Sequence, residues 1–130
     1  FKGTAPGSAA GDAFDAFSAA YAEVSPDGAG TFIFAPQAYD AVMLMAISAA
    51  ANGVTGPEIA SGLVAASSGG QKCVGVECIA LAADGVDVDY VGASGEIELN
   101  ESGDPTSATY DIWNTVGDDN PVLKSVDFGS

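Results

Sequence analysis

The chain has 130 residues, 48% of them hydrophobic, and its 18 acidic residues are set against only 3 basic ones, with no histidine, for a formal net charge of −15. This balance leaves almost nothing to neutralise phosphate groups, which excludes nucleic acid as a partner and disfavours an anionic membrane surface. The chain also lacks the commonest general base and the commonest metal ligand. We interpret the acidity as a solubility device, typical of proteins in salty surroundings.

The first 30 residues are predicted to form an extended opening, one amphipathic helix and a loop. Residues 1–7 cannot be helical before Pro6. Residues 8–24 carry a stripe of apolar side chains at helical spacing, made by Phe14, Phe17, Tyr21 and Val24. The run Ser-Pro-Asp-Gly-Ala-Gly at 25–30 predicts a loop. One helix therefore precedes the most apolar part of the chain.

Residues 31–53 are the stretch around which the fold is expected to form. Thr31 to Ala35 is β-branched and aromatic, which predicts a short buried strand. Pro36 ends this strand, and its fixed φ suits the first turn of a helix. That helix has no charge after Asp40 and is apolar around most of its circumference, so we predict that it is buried on all sides. It is too short and too mildly apolar to span a membrane.

Two further helices are predicted on either side of a cysteine loop. Thr55 and Glu58 have the spacing of a capping box, which marks the start of a helix. Cys73 and Cys78 have no further ligands with which to form a zinc site, so a local disulfide is the preferred interpretation, and a disulfide implies an exported protein. Residues 77–83 predict the second helix.

After the last helix the hydrophobic period changes from that of a helix to that of a strand. Residues 96–99, 107–116 and 122–128 alternate as strands do, and the segments between them are turns. The predicted order is therefore helix, strand, buried helices and a C-terminal β-meander, which is an α/β fold. A single strand cannot cover the buried helix on all sides, so we expect the chain to be part of a larger domain.

No arrangement of residues predicts catalysis or a metal site. Asp84, Asp87 and Asp89 lack the spacing of a calcium-binding loop, and we interpret them as a solvated turn, with a calcium-stabilised surface as the alternative. The serines have no histidine or suitably placed lysine to act as a base. We therefore predict no enzymatic activity, no cofactor and no bound metal.

The junction between the predicted strand and the helix after it supplies the candidate ligand-binding residues. Phe34 lies at the carboxyl end of the strand, with Gln37 and Tyr39 just beyond it. In open α/β sheets, ligands bind outside this edge. The alternative for Phe34 and Tyr39 is a place in the hydrophobic core.

Several stretches together resemble a known family. They are Gly-Thr-Ala-Pro at 3–6 before an aromatic-rich helix, Ala-Tyr-Asp-Ala-Val at 38–42, the run Gly-Ala-Ser-Gly to Gly-Asp-Pro at 92–105, and Tyr-Asp-Ile-Trp at 110–113. In their order and spacing they resemble the C-terminal part of the branched-chain amino-acid type of ABC-transporter substrate-binding protein. This is the leucine/isoleucine/valine-binding family, which has the type I periplasmic binding fold.

The resemblance implies an exported, two-lobed protein, periplasmic or extracellular, that closes on a small polar solute such as an amino acid or an amide. Its partners would be that solute, the rest of the binding-protein chain and an ABC permease in the membrane. Residues 1–7 would be a hinge crossing, 8–91 part of one α/β lobe, and 92–130 a crossing segment with the last strands. Phe34 would line the cleft. The alternative is a ligand-sensing or structural module of the same fold without transport.

Overall fold

A computed structural model describes residues 1–7, 10–28 and 32–129 and shows a mixed α/β fold, which confirms the predicted class. Within these ranges there are four α-helices, six strands and one 3-10 turn at Pro26–Gly28. In chain order the elements are β1 (Lys2–Pro6), α1 (Asp12–Val24), α2 (Ala35–Asn52), α3 (Gly56–Ala66), β2 (Gln71–Val74), α4 (Glu77–Ala83), β3 (Val88–Gly92), β4 (Gly95–Glu96), β5 (Ala108–Asn114) and β6 (Val122–Phe128).

The strands form two separate three-stranded sheets. The first sheet has the order β1-β5-β6 and is antiparallel throughout, with Gly3 opposite Trp113. The second has the order β2-β3-β4, in which β2 and β3 are parallel and β4 is antiparallel to β3. Of the three strands in the predicted C-terminal β-meander, only the last two pair with each other, as β5 and β6; the first belongs to the second sheet as β4, and the place beside β5 is taken by β1.

The hydrophobic core lies where α2 packs against α3, α4 and the second sheet. Its most buried large side chains are Ile47 of α2 and Tyr90 of β3, each 1% exposed. Cys73 of β2 and Cys78 of α4 are also buried and form a disulfide, the pairing that the sequence favoured. The disulfide fastens the edge strand of the second sheet to the helix that packs on it.

The predicted strand at Thr31–Ala35 is wrong in the part that the structure describes, Thr31 lying outside the described residues. Residues 32–34 are irregular and Ala35 already begins α2. The ring of Phe32 packs at 5.2 Å from that of Phe17, whereas Ile33 is 57% exposed. The preference of such residues for a strand depends on neighbouring strands with which to pair, and this segment has none among the described residues. Phe32 therefore packs against other aromatic rings instead.

Other boundaries differ from the predicted ones. The helix predicted from residue 8 begins at Asp12, residues 8 and 9 lying outside the described part. The predicted loop at 25–30 contains the 3-10 turn, with residues 29 and 30 again outside it. The strand predicted at 96–99 is limited to β4. Of the three residues predicted to form a solvated turn, Asp84 lies in a turn and Asp87 in an irregular segment, but Asp89 lies on β3.

Helix α2 is buried on one face only, which corrects the prediction of burial on all sides. Pro36, Met43 and Leu44 are buried, but Val42 and Met45 are 59% and 44% exposed. No helix in the described ranges is both long and apolar enough to cross a membrane.

Lys72 ties the strands of the second sheet together, and its ion pairs lead to a testable prediction. Its Nζ lies 2.8 Å from Oε1 of Glu96 and 3.4 Å from Oδ2 of Asp89. The hydrogen bond with Glu96 raises the pKa of Lys72 and lowers that of Glu96. We expect Lys72→Ala to lower the thermal midpoint slightly at low salt, with the loss shrinking as salt screens the exposed charges.

Lys124→Ala is the matched control, because it removes the same charge from a lysine with no carboxylate within 4.0 Å among the described residues. Thermal melts of both variants at 0.05 M and 1 M salt, concentrations that span the range from long to short screening lengths, check the expectation. An equal loss in both variants would show that net charge is responsible rather than the ion pairs.

Candidate functional site

A cavity of about 990 Å³ lies between α2 and the first sheet. One wall is formed by α2 and by residues 94–99, and the opposite wall by residues 6–7, by the start of β5 and by the end of β6. A volume of this size is sufficient for a small organic molecule. The cavity is therefore our candidate ligand site.

The cavity walls are mainly apolar, with polar groups at a few positions. The apolar part includes Leu44, Met45, Leu63 and Ile97, which come from α2, α3 and the segment after β4. The polar side chains include Gln37, Asp40, Ser94, Glu96, Thr109 and Asp127. Such a mixture is typical of small-molecule sites, in which apolar area provides affinity and polar groups provide orientation.

Asp40, in the second turn of α2, is the most constrained polar residue of the site. It is 2% exposed, and each of its two carboxylate oxygens accepts two hydrogen bonds. Oδ1 accepts from the Tyr90 hydroxyl and the Ala93 N–H, both at 2.8 Å. Oδ2 accepts from the N–H of Ser94 at 2.7 Å and from its hydroxyl at 2.6 Å. Asp40 therefore fixes the turn between β3 and β4 to the start of α2.

The close approach of the turn to Asp40 requires glycine at position 92. A Cβ on Gly92 would lie 2.6 Å from Oδ2 of Asp40 and 2.6 Å from Cδ1 of Ile97, which no side chain tolerates. The sequence prediction missed Asp40, although its signal was present. It is an acidic residue at the start of an otherwise uncharged apolar helix, and a buried charge is retained only where hydrogen-bond donors satisfy it.

The tyrosines beside Asp40 respond to its charge. Burial, the negative charge of Asp40 and the hydrogen bond to it all raise the pKa of Tyr90 far above its ordinary value of 10.0. Burial and the same charge also raise the pKa of Tyr39. Both phenols are therefore held in the neutral form, and Tyr90 remains a hydrogen-bond donor to Asp40.

The raised pKa of Tyr90 predicts a loss of stability at alkaline pH. The unfolded chain ionises this phenol at about pH 10, whereas the folded chain does not, so the contribution is complete below that pH and is lost above it. We expect the free energy of unfolding to fall by up to about 1.4 kcal/mol per pH unit above pH 10 because of this group. Urea titrations at pH 8 to 11 should show a shallower fall for Tyr90→Phe than for Tyr110→Phe, which alters a tyrosine that is 45% exposed. Equal slopes would contradict the assignment.

The structure brings two of the three predicted ligand-binding residues to the cavity. Phe34 and Gln37 line it, and Phe34 is 65% exposed. Tyr39 does not line it and instead packs on Phe17, with ring centroids 5.3 Å apart. The Nε2 of Gln37 donates to the carbonyl of Gly7 at 2.8 Å, while its Oε1 is buried without a partner among the described residues. Ligand binding by these side chains stays a prediction.

The α/β fold and the cavity beside it are of the kind expected of a small-molecule-binding protein. A family model described as the receptor family ligand binding region matches residues 12–118. The chain therefore belongs to this family of ligand-binding regions, which have the type I periplasmic binding fold and are in general not catalytic. Neither the curated proteins nor the solved structures compared with the chain gave a match. Within the described residues, no group of three or more acidic or cysteine side chains is placed to hold a metal ion.

Proposed function

We propose that the chain is the C-terminal part of an extracytoplasmic solute-binding protein that delivers a small polar solute, an amino acid or an amide-like compound, to an ABC permease. The observation that carries this proposal is the cavity, which has one wall on α2 and the other on a separate sheet. A site shared by two bodies can be opened and closed by moving one body against the other.

The path of the chain supports a hinge at this place. After β1 the chain leaves the first sheet for the helices and the second sheet, and it returns to the first sheet after β4. We propose that residues 1–7 are a hinge crossing, that 8–91 belong to one lobe, and that 92–130 contain the second crossing and the last strands. The closed form would bind the solute more tightly than the open form, so the solute would shift the population towards closure.

Phe34 is the residue we propose for apolar contact with the solute, with Gln37 as a polar contact and Tyr39 as support behind them. An aromatic ring that is 65% exposed at a cavity gains much from being covered. Tyr39 would act indirectly, by holding the start of α2 against the aromatic side chains of α1.

Binding of a solute panel to the intact protein tests this function. The panel contains leucine, isoleucine, valine, acetamide and urea, and the readouts are calorimetry and the fluorescence of Trp113, the only tryptophan. We expect Phe34→Ala to weaken binding at least about 10-fold, from the loss of one buried aromatic contact. Ile33→Ala is the control, because Ile33 is comparably exposed but does not line the cavity. Failure of every solute to bind would contradict the proposal.

A ligand-sensing module is the second candidate, because the matching family is described as a receptor family. The two functions differ in what responds to lobe closure: a permease in the case of transport, and a partner other than a permease in the case of sensing. A transport protein should stimulate solute uptake by its permease in reconstituted vesicles, whereas a sensing module should not.

A further inference from the structure

We propose that Asn100, in the exposed turn between β4 and β5, is a site of N-linked glycosylation. This modification lies outside solute binding, and it rests on the proposed function only because it requires the chain to be exported. Four observations carry it: the sequence around Asn100, the exposure of the turn, the hydrogen bonds of the Asn100 side chain, and the disulfide.

The sequence at 100–102, Asn-Glu-Ser, is an acceptor for N-linked glycans, which require asparagine, then any residue except proline, then serine or threonine. Glu98, two positions before the asparagine, also meets the requirement of bacterial transferases for an acidic residue there. The other three asparagines of the chain have valine in place of the serine or threonine: Asn52, Asn114 and Asn120. The chain therefore contains one acceptor sequence.

The acceptor lies where a bulky polar group meets no packed neighbour. Residues 100–106 are all exposed, and a bridge between Leu99 and Pro105 closes the turn that they form. Leu99 and Pro105 line the cavity, whereas Asn100 and Ser102 do not. Because N-linked glycans are large surface groups, this turn can carry one without closing the cavity.

The hydrogen bonds of Asn100 leave the reacting nitrogen of its amide free. Its Oδ1 accepts from the N–H of Ser102 at 2.9 Å and from the N–H of Asp104 at 3.0 Å. Among the described residues, neither Nδ2 of Asn100 nor the hydroxyl of Ser102 has a hydrogen-bond partner within the protein. The turn is thus held through the oxygen, and the nitrogen to which a sugar would be joined is left to react.

The attachment is a substitution at the first carbon of the sugar. The co-substrate is an oligosaccharide joined to a lipid through a phosphate or pyrophosphate. A bond forms between Nδ2 of Asn100 and the sugar carbon as the bond from that carbon to the phosphate oxygen breaks. The phosphate leaves with the electron pair, and Nδ2 loses one proton to a base of the transferase. This chain contributes only the acceptor amide.

The disulfide supports passage through a compartment in which such transfer takes place. Cys73 and Cys78 are bonded and are 3% and 0% exposed. Disulfides persist in the periplasm, in the secretory lumen and outside the cell, and not in the reducing cytosol. Transfer of lipid-linked oligosaccharides to proteins takes place on the same, non-cytosolic side of the membrane. A chain that acquires the disulfide is therefore also within reach of the transferase.

Mass spectrometry of the full-length protein isolated from its native source tests this inference. We expect the peptide that contains residues 100–102 to carry sugar mass, and fragmentation that preserves glycans to place that mass on Asn100. A native protein with bare Asn100, or with the sugar on a serine or threonine hydroxyl, would overturn the inference.

Two substitutions at position 102, expressed in the same host, separate the acceptor sequence from the turn. Ser102→Ala removes the hydroxyl that the transferase requires, but it keeps the backbone N–H that donates to Asn100, so the turn should be retained and the glycan lost. Ser102→Thr is the matched control, because it keeps a hydroxyl and should keep the glycan. A glycan that persists in Ser102→Ala would also overturn the inference.

The outcomes separate this inference from the proposed function. A protein that binds solutes of the earlier panel but has bare Asn100 overturns the inference alone. A glycosylated protein that binds none of those solutes overturns the solute-binding function alone. Because Asn100 and Ser102 lie outside the cavity lining, Ser102→Ala should bind solutes as tightly as the parent does.

Discussion

Replacing Asp40 by alanine is expected to destabilise the protein by about 3–5 kcal/mol, the usual cost of removing one partner from a buried charged network. The carboxylate accepts four hydrogen bonds, from Tyr90, from Ala93 and twice from Ser94. Its loss leaves the Tyr90 hydroxyl and the Ala93 N–H buried without acceptors, and each such group carries the full cost of its lost hydration. Urea unfolding monitored by circular dichroism measures the change.

Asparagine at position 40 distinguishes the role of the carboxylate from that of its volume. An amide can accept at one oxygen only, and its NH₂ group would face the N–H of Ser94, so we expect Asp40→Asn to lose most of what Asp40→Ala loses. Glu101→Ala, in an exposed turn, should change stability by less than about 0.5 kcal/mol. An asparagine variant as stable as the parent would refute the assigned role of the two oxygens.

Phe17→Ala is expected to have an effect of similar size, about 3–5 kcal/mol, as is typical of a buried aromatic residue. Phe17 is 2% exposed, and its ring lies 5.2–6.0 Å from four other aromatic rings, those of Phe14, Tyr21, Phe32 and Tyr39. This cluster fastens α1 to the start of α2, so its loss should also free α1. Hydrogen exchange of the α1 amides, together with urea unfolding, provides the measurement.

Val24→Ala is the control for this variant, because Val24 lies on the same helix and is 82% exposed. We expect it to change stability by less than about 0.5 kcal/mol. If both variants had the same small effect, the aromatic cluster would not be what holds α1 in place.

The parts of the fold that were predictable from the sequence are those set by local signals. The capping residues Thr55 and Glu58 place the start of α3, and the Glu58 carboxylate accepts the N–H of Thr55 at 2.9 Å. Asn100 forms the predicted turn, its Oδ1 accepting from the N–H groups of Ser102 and Asp104. In each case the hydrogen-bonding partners are a few residues apart in the sequence, so their spacing alone is enough to predict the cap or the turn.

The parts that were not predictable depend on distant partners. β2 and β3 are short, and Cys73 lies opposite Tyr90 in their pairing although the whole of α4 separates the two residues in the sequence. The cavity is assembled from Gly7, Gln37, Ser94 and Asp127, which no fixed spacing relates. Phe34 and Gln37 were predicted from the junction between a helix and a strand that the structure does not contain, whereas Asp40 was passed over because its four donor groups lie 50 to 54 positions away in the sequence.

The pairing of β1 with β5 has a consequence for the order of folding. Gly3 lies opposite Trp113, so the first sheet cannot form until nearly the whole chain is available, and closing so long a loop is entropically costly. The helices, whose contacts are more local, are expected to form earlier. The cavity is then completed last, and a bound solute should slow the unfolding of the protein while leaving its refolding rate unchanged.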